Sequence, residues 1–91
     1  MHISWLDLQH QALSVPQLYA ALALRCEVFV VEQQCAYLDV DGLDLQGENR
    51  HILGMAQGDL LAYARILSPD RAGAEVKVGR VIISSKARGL N

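Results

Sequence analysis

The feature that most constrains the fold is an apolar, β-branched run near the end of the chain, residues 76–84, which reads VKVGRVIIS. Valine and isoleucine favour strands because their branched side chains fit a pleated, half-buried surface. A small basic turn with the sequence SKARG follows at residues 85–89. A strand, a turn of this kind and then a helix together present backbone N–H groups and a cation to a phosphate in many folds. The sequence therefore predicts a strand over 76–84 and the start of a helix where the chain ends.

Composition indicates one small domain with a core made mostly of aliphatic residues. The chain has 91 residues, of which 52% are hydrophobic and 5% aromatic. The net charge of −2, with both signs interspersed, argues against general binding to nucleic acid. No apolar run approaches the roughly 18 residues of a membrane span, and we expect no signal peptide. The two cysteines, nine positions apart, match neither a redox nor a zinc motif, so we expect reduced thiols near the core of a cytoplasmic protein.

The clearest predicted helix covers residues 17–34. Ser14 is suited to cap the free N–H groups at its start, and Pro16 is tolerated in a first helical turn. Apolar residues then recur at the helical period and predict the buried face. These residues are Leu18, Leu22, Cys26 and Phe29.

The rest of the chain predicts a sheet and one long acidic loop. A first strand is expected over residues 1–8. The loop over 35–49 carries four acidic residues, whose spacing does not match an EF-hand, so no metal site is predicted. Three more strands are expected to form an antiparallel meander, with a tight turn between the first two. They cover 50–56, 60–67 and 76–84. This order predicts an α+β or α/β fold.

Several stretches of the sequence resemble the ElaA-type branch of the GNAT N-acetyltransferases. One is ALRCEVFVVEQ at residues 23–33, followed by the aspartate-rich YLDVDGLD at 37–44. The others are LAYAR at 61–65 and GRV at 79–81, leading to ARG at 87–89. The resemblance spans essentially all 91 residues and implies a GNAT-like acyl-CoA N-acyltransferase fold. It implies that the chain forms the front part of one such domain and ends at the start of the cofactor's phosphate-binding turn.

The resemblance also implies a cofactor and a reaction. In the family, acetyl-CoA lies beside the fourth strand, and its pyrophosphate sits on the turn that follows. Carried onto this chain, Val81, Ile82 and Ile83 are expected beside acetyl-CoA, and Arg88 and Gly89 at the phosphate turn. The expected reaction is acetyl transfer from acetyl-CoA to a small-molecule amine.

Amine acetylation needs a base for the amine, stabilisation of an oxyanion and an acid for the thiolate. A backbone N–H near Ile82 suits the oxyanion. Glu32, Asp41 and His51 are the catalytic candidates, with Asp39 and Asp44 as further possible bases. Each also has a structural interpretation, as a solvated carboxylate, a turn former or a buried histidine.

The roles of several other polar residues stay open at this point. Tyr37 and Tyr63 suit either the thiolate acid or packing. Arg65 and Arg80 suit either pairing with loop carboxylates or lining of the cleft. The acidic loop as a whole is expected to attract a cationic amine.

A second possible function is that of a small α/β binding or interaction module, which keeps the front half of the fold but catalyses no reaction. The outer edge of the strand at 76–84 is expected to be unpaired, and exposed edges of this composition pair with other strands. The sequence therefore predicts that the chain alone is either marginally stable or a homodimer through this edge. A thiol or metal protein would rest only on Cys26, Cys35 and the aspartates, and is the least favoured class.

Overall fold

Four antiparallel strands lie side by side in chain order, with one helix packed on one face of the sheet, in a computed structural model that describes residues 2–69 and 74–88. The strands are β1 (Ser4–Gln9), β2 (Arg50–Ala56), β3 (Asp59–Leu67) and β4 (Lys77–Ile83). The helix α1 (Val15–Arg25) continues without a break into a wider π-helical segment, Cys26–Glu32. The fold is α+β, and the predicted order of a strand, a helix, a long loop and an antiparallel meander is confirmed.

The start of α1 follows from its capping residues. The Ser14 hydroxyl accepts a hydrogen bond from the backbone N–H of Gln17 at 3.1 Å, and the Gln17 side chain accepts one from the Ser14 N–H at 2.8 Å. This reciprocal capping box satisfies two donors that a helix start would otherwise leave free. Pro16 lies in the first turn, where its missing N–H costs nothing.

The buried face of α1 differs from the predicted one. Ala21, Leu24 and Val28 are the helix residues in the hydrophobic core. Of the predicted stripe, Cys26 is exposed and the other three residues are only partly buried. Apolar residues surround this helix on several sides, so the 3.6-residue period alone does not select one face. The expected burial of the thiols is wrong as well, because Cys35 is also exposed.

The turn between β2 and β3 is a two-residue hairpin. Gln57 and Gly58 both have positive φ, at 52° and 83°. Two consecutive residues of this kind form the type I′ turn, whose twist matches that of the flanking strands. The tight turn predicted from the sequence is confirmed.

The core lies between α1 and the facing side of the sheet, where Leu53, Tyr63 and Ile82 meet the helix. On the opposite side, Trp5 of β1 lies across Gly54 of β2. A Cβ added at Gly54 would sit 2.8 Å from Trp5 Cζ3 and 3.0 Å from the Cβ of Ala62. Glycine is therefore required sterically where the indole crosses β2.

The strand β4 lies at one edge of the sheet. Within residues 2–69 and 74–88 it pairs only with β3. Its residues Val78, Val81 and Ile83 are 62%, 64% and 54% exposed. The homodimer through this edge stays a prediction. In the same described part of the chain, no helix combines the length and the apolarity needed to cross a membrane.

Replacing Gly54 with alanine should destabilise the protein by about 1–2 kcal/mol, because the new methyl group must displace Trp5 or Ala62. Gly79→Ala is the matched control. A Cβ there meets no atom within 4 Å, so its effect should stay within about 0.5 kcal/mol. Urea unfolding of both variants tests this, and equal midpoints would contradict the steric role of Gly54.

Candidate functional site

The acidic loop over residues 35–49 meets arginines from the helix and the sheet. Arginine side chains from α1, β3 and β4 converge on carboxylates of the loop, and most of these groups are buried. We call this set the Arg–Asp cluster. Its members are Arg25, Arg65, Arg80, Asp39, Asp41 and Asp44. The formal charges of three arginines and three aspartates cancel.

Arg25, the last residue of α1, is the most deeply buried member of the cluster, with no exposed surface. Its Nη1 donates to Asp44 Oδ1 at 2.5 Å, and its Nη2 donates to the Asp39 carbonyl at 2.7 Å. Its guanidinium also lies 5.8 Å from the centre of the Tyr63 ring. Burial alone would lower the pKa of Arg25, but the hydrogen bond and charge of Asp44 raise it above its usual value. The residue therefore stays charged inside the fold.

Arg65 of β3 holds Asp41 in a two-pronged ion pair. Its Nη1 and Nη2 donate to the two carboxylate oxygens, each at 2.8 Å, and Nη1 also donates to Asp44 at 3.0 Å. These hydrogen bonds lower the pKa of Asp41 to about 2. A carboxylate this acidic is a weak proton acceptor at neutral pH. The ion pair with Arg65 instead fixes the loop to the sheet through Asp41.

Arg80 of β4 completes the cluster from the edge of the sheet. Its Nε donates to Asp39 Oδ1 and its Nη2 to the Asp39 carbonyl, both at 3.0 Å. Tyr37 covers the guanidinium at 5.1 Å and donates its hydroxyl to Asp39 at 3.1 Å. The sequence left open whether Arg65 and Arg80 pair with loop carboxylates, and the structure shows that both do. Arginines already neutralise the three aspartates of the cluster, and attraction of a cationic amine by the loop stays a prediction.

His51 is a fully buried residue next to the cluster. Its Nε2 lies 2.9 Å from the carbonyl oxygen of Asp44, and its Nδ1 lies 2.6 Å from the hydroxyl of Tyr63. A carbonyl only accepts, so Nε2 carries the proton, and the neutral ring accepts from Tyr63 through Nδ1. Burial lowers the pKa of His51 and raises that of Tyr63 to about 12. Both groups are therefore neutral at pH 7 and bonded to each other inside the core.

The strand β4 contains a bulge at the position of Arg80. Ile82 pairs with Tyr63 and Gly79 pairs with Arg65, so β4 has one residue more than β3 between these two pairs. Arg80 takes a φ of 53°, in the left-handed region. Bulges disrupt the hydrogen-bonded ladder locally and are common beside active sites.

The turn after β4 forms one helical turn that begins at Ser84. The Ser84 carbonyl accepts from the N–H groups of Ala87 and Arg88 at 2.9 and 3.0 Å, and its hydroxyl accepts from the Lys86 N–H at 3.2 Å. The Arg88 guanidinium makes an ion pair with Glu32, at the end of the π-helical segment. The predicted turn is therefore present as far as Arg88, and the helix expected after it lies outside the described residues.

Comparison with known proteins identifies the family. Protein ElaA of Escherichia coli strain K12 is 60% identical over 87 residues, which are 96% of this chain and 57% of ElaA. The crystal structure of Escherichia coli ElaA gives a TM-score of 0.91 at 59% identity, over 97% of this chain and 60% of that one. The crystal structure of an acyl-CoA N-acyltransferase from Pseudomonas aeruginosa gives 0.91 at 49% identity, over 98% and 61%. This chain belongs to the ElaA-like branch of the GNAT family.

The likeness extends to more distant relatives. The UPF0039 protein sll0451 of Synechocystis is 43% identical over 91 residues, which are 99% of this chain and 58% of that protein. A scan against protein-family models found no match. The chain thus spans somewhat more than half the length of the ElaA-like proteins that it matches.

The structure does not bring the predicted site residues of this ElaA-like chain together in one place. Asp41 belongs to the Arg–Asp cluster and His51 lies in the core, whereas Glu32 pairs with Arg88 beyond β4. Among the predicted cofactor-binding residues, Ile82 is buried in the core. Val81 and Ile83 are exposed, and Gly89 lies outside the described residues.

Sequence reasoning missed the structural importance of Arg25. It lies between Leu24 and Val28, which both face the core, but the sequence did not identify that face as the buried one, so the position of Arg25 gave no signal. A charged residue on a buried face requires a partner of opposite charge. The aspartates of the loop were the available partners.

Removing one carboxylate from the cluster should destabilise the fold strongly. Asp44→Asn takes a negative charge from between Arg25 and Arg65, and an uncompensated buried charge typically costs about 3–5 kcal/mol. Asp7→Asn is the control, because it breaks the exposed ion pair with Arg50, which is worth about 0–1 kcal/mol. Urea unfolding compares the two, and similar midpoints would show that the cluster does not hold the fold together.

Stability should fall as the pH drops below about 6.5, the pKa of an unperturbed histidine. The pKa of His51 is lower in the folded state, so the unfolded chain takes up the proton first and is favoured as the pH falls from 6.5 to the folded pKa. Unfolding midpoints between pH 7.5 and 5 measure this. His51→Gln should flatten the dependence, whereas His2→Gln at the exposed terminus should preserve it. A flat profile for the unmodified protein would refute the assignment.

Proposed function

We propose that this chain supplies the acyl-CoA-binding strand of an N-acyltransferase that transfers an acetyl group from acetyl-CoA to a small-molecule amine. Membership of the ElaA-like branch and the likeness to an acyl-CoA N-acyltransferase support an acyltransferase. The observation that carries the proposal is β4, a bulged strand at the sheet edge that leads into a turn bearing Arg88.

The groups available along β4 suit the two chemically different parts of acyl-CoA. An extended pantetheine arm contains amides that can bond to the backbone of a strand edge, as peptides do when they add to a sheet. In the described part of the chain, the outer edge of β4 has no neighbouring strand. Val81 and Ile83 add exposed apolar surface beside that edge.

Arg88 suits the phosphate end. Its guanidinium already holds a carboxylate, that of Glu32, and guanidinium groups bind carboxylate and phosphate oxygens with the same planar geometry. The Glu32 carboxylate therefore marks where an anion sits on Arg88. When bound, acyl-CoA would supply an acyl group activated as a thioester.

Glu32 is the most accessible of the three catalytic candidates, but its carboxylate lies on Arg88, at the end of acyl-CoA opposite the reacting thioester, so none of the three is assigned the proton transfer. The Glu32 side chain is 29% exposed, whereas Asp41 is held by two arginines and both His51 nitrogens are bonded inside the core. A base must lie within hydrogen-bond reach of the proton that it takes, and this requires a group that the amine can approach.

Calorimetric titration of the 91-residue chain with acetyl-CoA tests the proposal. We expect a dissociation constant in the micromolar range, because the strand edge of β4 is present and Arg88 is positioned on the turn that follows it. Arg88→Ala should weaken binding about tenfold, as expected for loss of a charge-assisted phosphate contact, and Lys86→Ala on the same turn serves as the control. Absence of binding by the unmodified chain would favour the non-catalytic interaction module.

Glu32→Gln should strengthen acetyl-CoA binding several-fold. Glu32 competes with phosphate for Arg88, and the neutral amide competes less well. Glu27→Gln is the matched control, since Glu27 is an exposed glutamate on the same π-helical segment. Equal affinities of the two variants would show that Glu32 does not occupy the phosphate position.

A further inference from the structure

Arg80 takes a backbone conformation that its residue type disfavours. Among the residues of the four strands, only Arg80 has a positive φ, at 53°. The other non-glycine residues with a positive φ, Gln34 and Gln57, lie outside the strands. A residue with a Cβ is strained in this region because the Cβ approaches the following carbonyl oxygen, and glycine avoids this strain. Such strain persists only where the surrounding structure holds the residue in place.

The Arg80 side chain is held by the contacts that can impose this conformation. Asp39 accepts from Arg80 through both its carboxylate and its carbonyl, and the Tyr37 ring covers the guanidinium. Asp41 adds a further contact at 3.3 Å. The Arg80 side chain is only 20% exposed, and its hydrogen bonds are to the loop. Arg80 is therefore anchored at the end of its side chain while its backbone forms the bulge.

Asp39 is itself fixed from the side of the helix. Arg25, at the end of α1, donates to the same Asp39 carbonyl at 2.7 Å and approaches its Oδ2 at 3.2 Å. The Asp39 side chain is 6% exposed. A continuous set of ionic contacts thus runs from the end of α1, through Asp39, to the bulge in β4.

We propose that Asp39 and Arg80 are positioning residues whose ion pair holds the β4 bulge in the conformation that binds acyl-CoA. This inference rests on the proposed function, because it takes β4 as the strand that binds acyl-CoA. Arg80 acts through its backbone, since its guanidinium is engaged by the loop. The backbone of Arg80 and Val81, which have no pairing partner on β3, is the part of β4 that the bulge displaces from the ladder.

Two substitutions of Arg80 separate the role of its backbone from that of its charge. Arg80→Ala and Arg80→Gly both remove the guanidinium, but glycine adopts a positive φ readily and alanine does not. By calorimetry, Arg80→Ala should weaken acetyl-CoA binding at least about tenfold. Arg80→Gly should recover about fivefold of that loss, in line with the usual penalty for a Cβ in this region. Circular dichroism confirms that each variant is folded at the temperature of titration.

A second pair of variants tests the contact of Asp39 with Arg80. Asp39→Asn should weaken acetyl-CoA binding, as Arg80→Ala does. Asp7→Asn is the control because Asp7 pairs with Arg50 at an exposed site outside the cluster, and it should leave the affinity unchanged. A purely structural role would lower the unfolding midpoints of both Arg80 variants without separating their affinities.

Two results would overturn the inference. Equal weakening by Arg80→Ala and Arg80→Gly would mean that the guanidinium itself contacts the cofactor, and unchanged affinity in both would mean that the bulge needs no anchor. Failure of the unmodified chain to bind acetyl-CoA would instead refute the proposed function. In that case the HN–Hα coupling and the carbon chemical shifts of residue 80 test separately whether the Asp39–Arg80 ion pair holds the bulge. A positive φ that survives in both Arg80→Ala and Asp39→Asn would overturn this role. Loss of the positive φ in both variants, with its retention in Arg80→Gly, would support it.

Discussion

Pairing of buried charges is the interaction on which this structure depends. Removing an ion from water costs several kcal/mol, and pairing repays that cost only when every partner is in place. The Arg–Asp cluster meets the charge part of this condition, with balanced charges contributed by the helix, the loop, β3 and β4. Three of its buried atoms, Asp39 Oδ2, Asp44 Oδ2 and Arg65 Nε, have no hydrogen-bond partner among residues 2–69 and 74–88. Its members share partners, since Asp44 bonds to both Arg25 and Arg65. The cluster therefore behaves as one unit that fixes the loop relative to the sheet.

The same arrangement explains how β4 can be both anchored and accessible. Ile82 packs into the core, and Arg80 is held by the loop, so the strand is fixed from the side that faces the helix. Val81 and Ile83 point to the other side and stay exposed. Within the described residues, β4 is thus supported from one face while its outer edge has no neighbouring strand, which suits the proposed binding of an extended ligand.

The elements of the fold were predictable from the sequence because each has a local cause. Ser14 and Pro16 mark the helix start, the Gln57–Gly58 turn sets the hairpin, and the β-branched run over 76–84 gives β4. The α+β class and the family followed from these elements and from the resemblance. The strand β2 has the predicted bounds, Arg50–Ala56.

The candidate site was less predictable because its geometry depends on contacts that are distant in sequence. Nothing local distinguishes Asp41, held by Arg65, from a solvent-facing turn residue, or His51 from a catalytic base. The bulge at Arg80 is equally hidden, because arginine gives no sign of a positive φ. Only the loop opposite, which supplies Asp39, makes that conformation tolerable.

The spacing of the cluster along the chain has a consequence for protein synthesis. Arg25 and Asp39 are 14 residues apart, but the partnership of Asp39 with Arg80 spans 41. On the ribosome, the helix and the loop emerge long before β4, and Asp39 and Asp41 lack the Arg80 guanidinium throughout that interval. Long-range contacts of this kind form late because the chain must first close a large loop. The acidic loop can complete these ion pairs only after β4 has been made, so the final position of the loop is set late in the synthesis of this part of the protein.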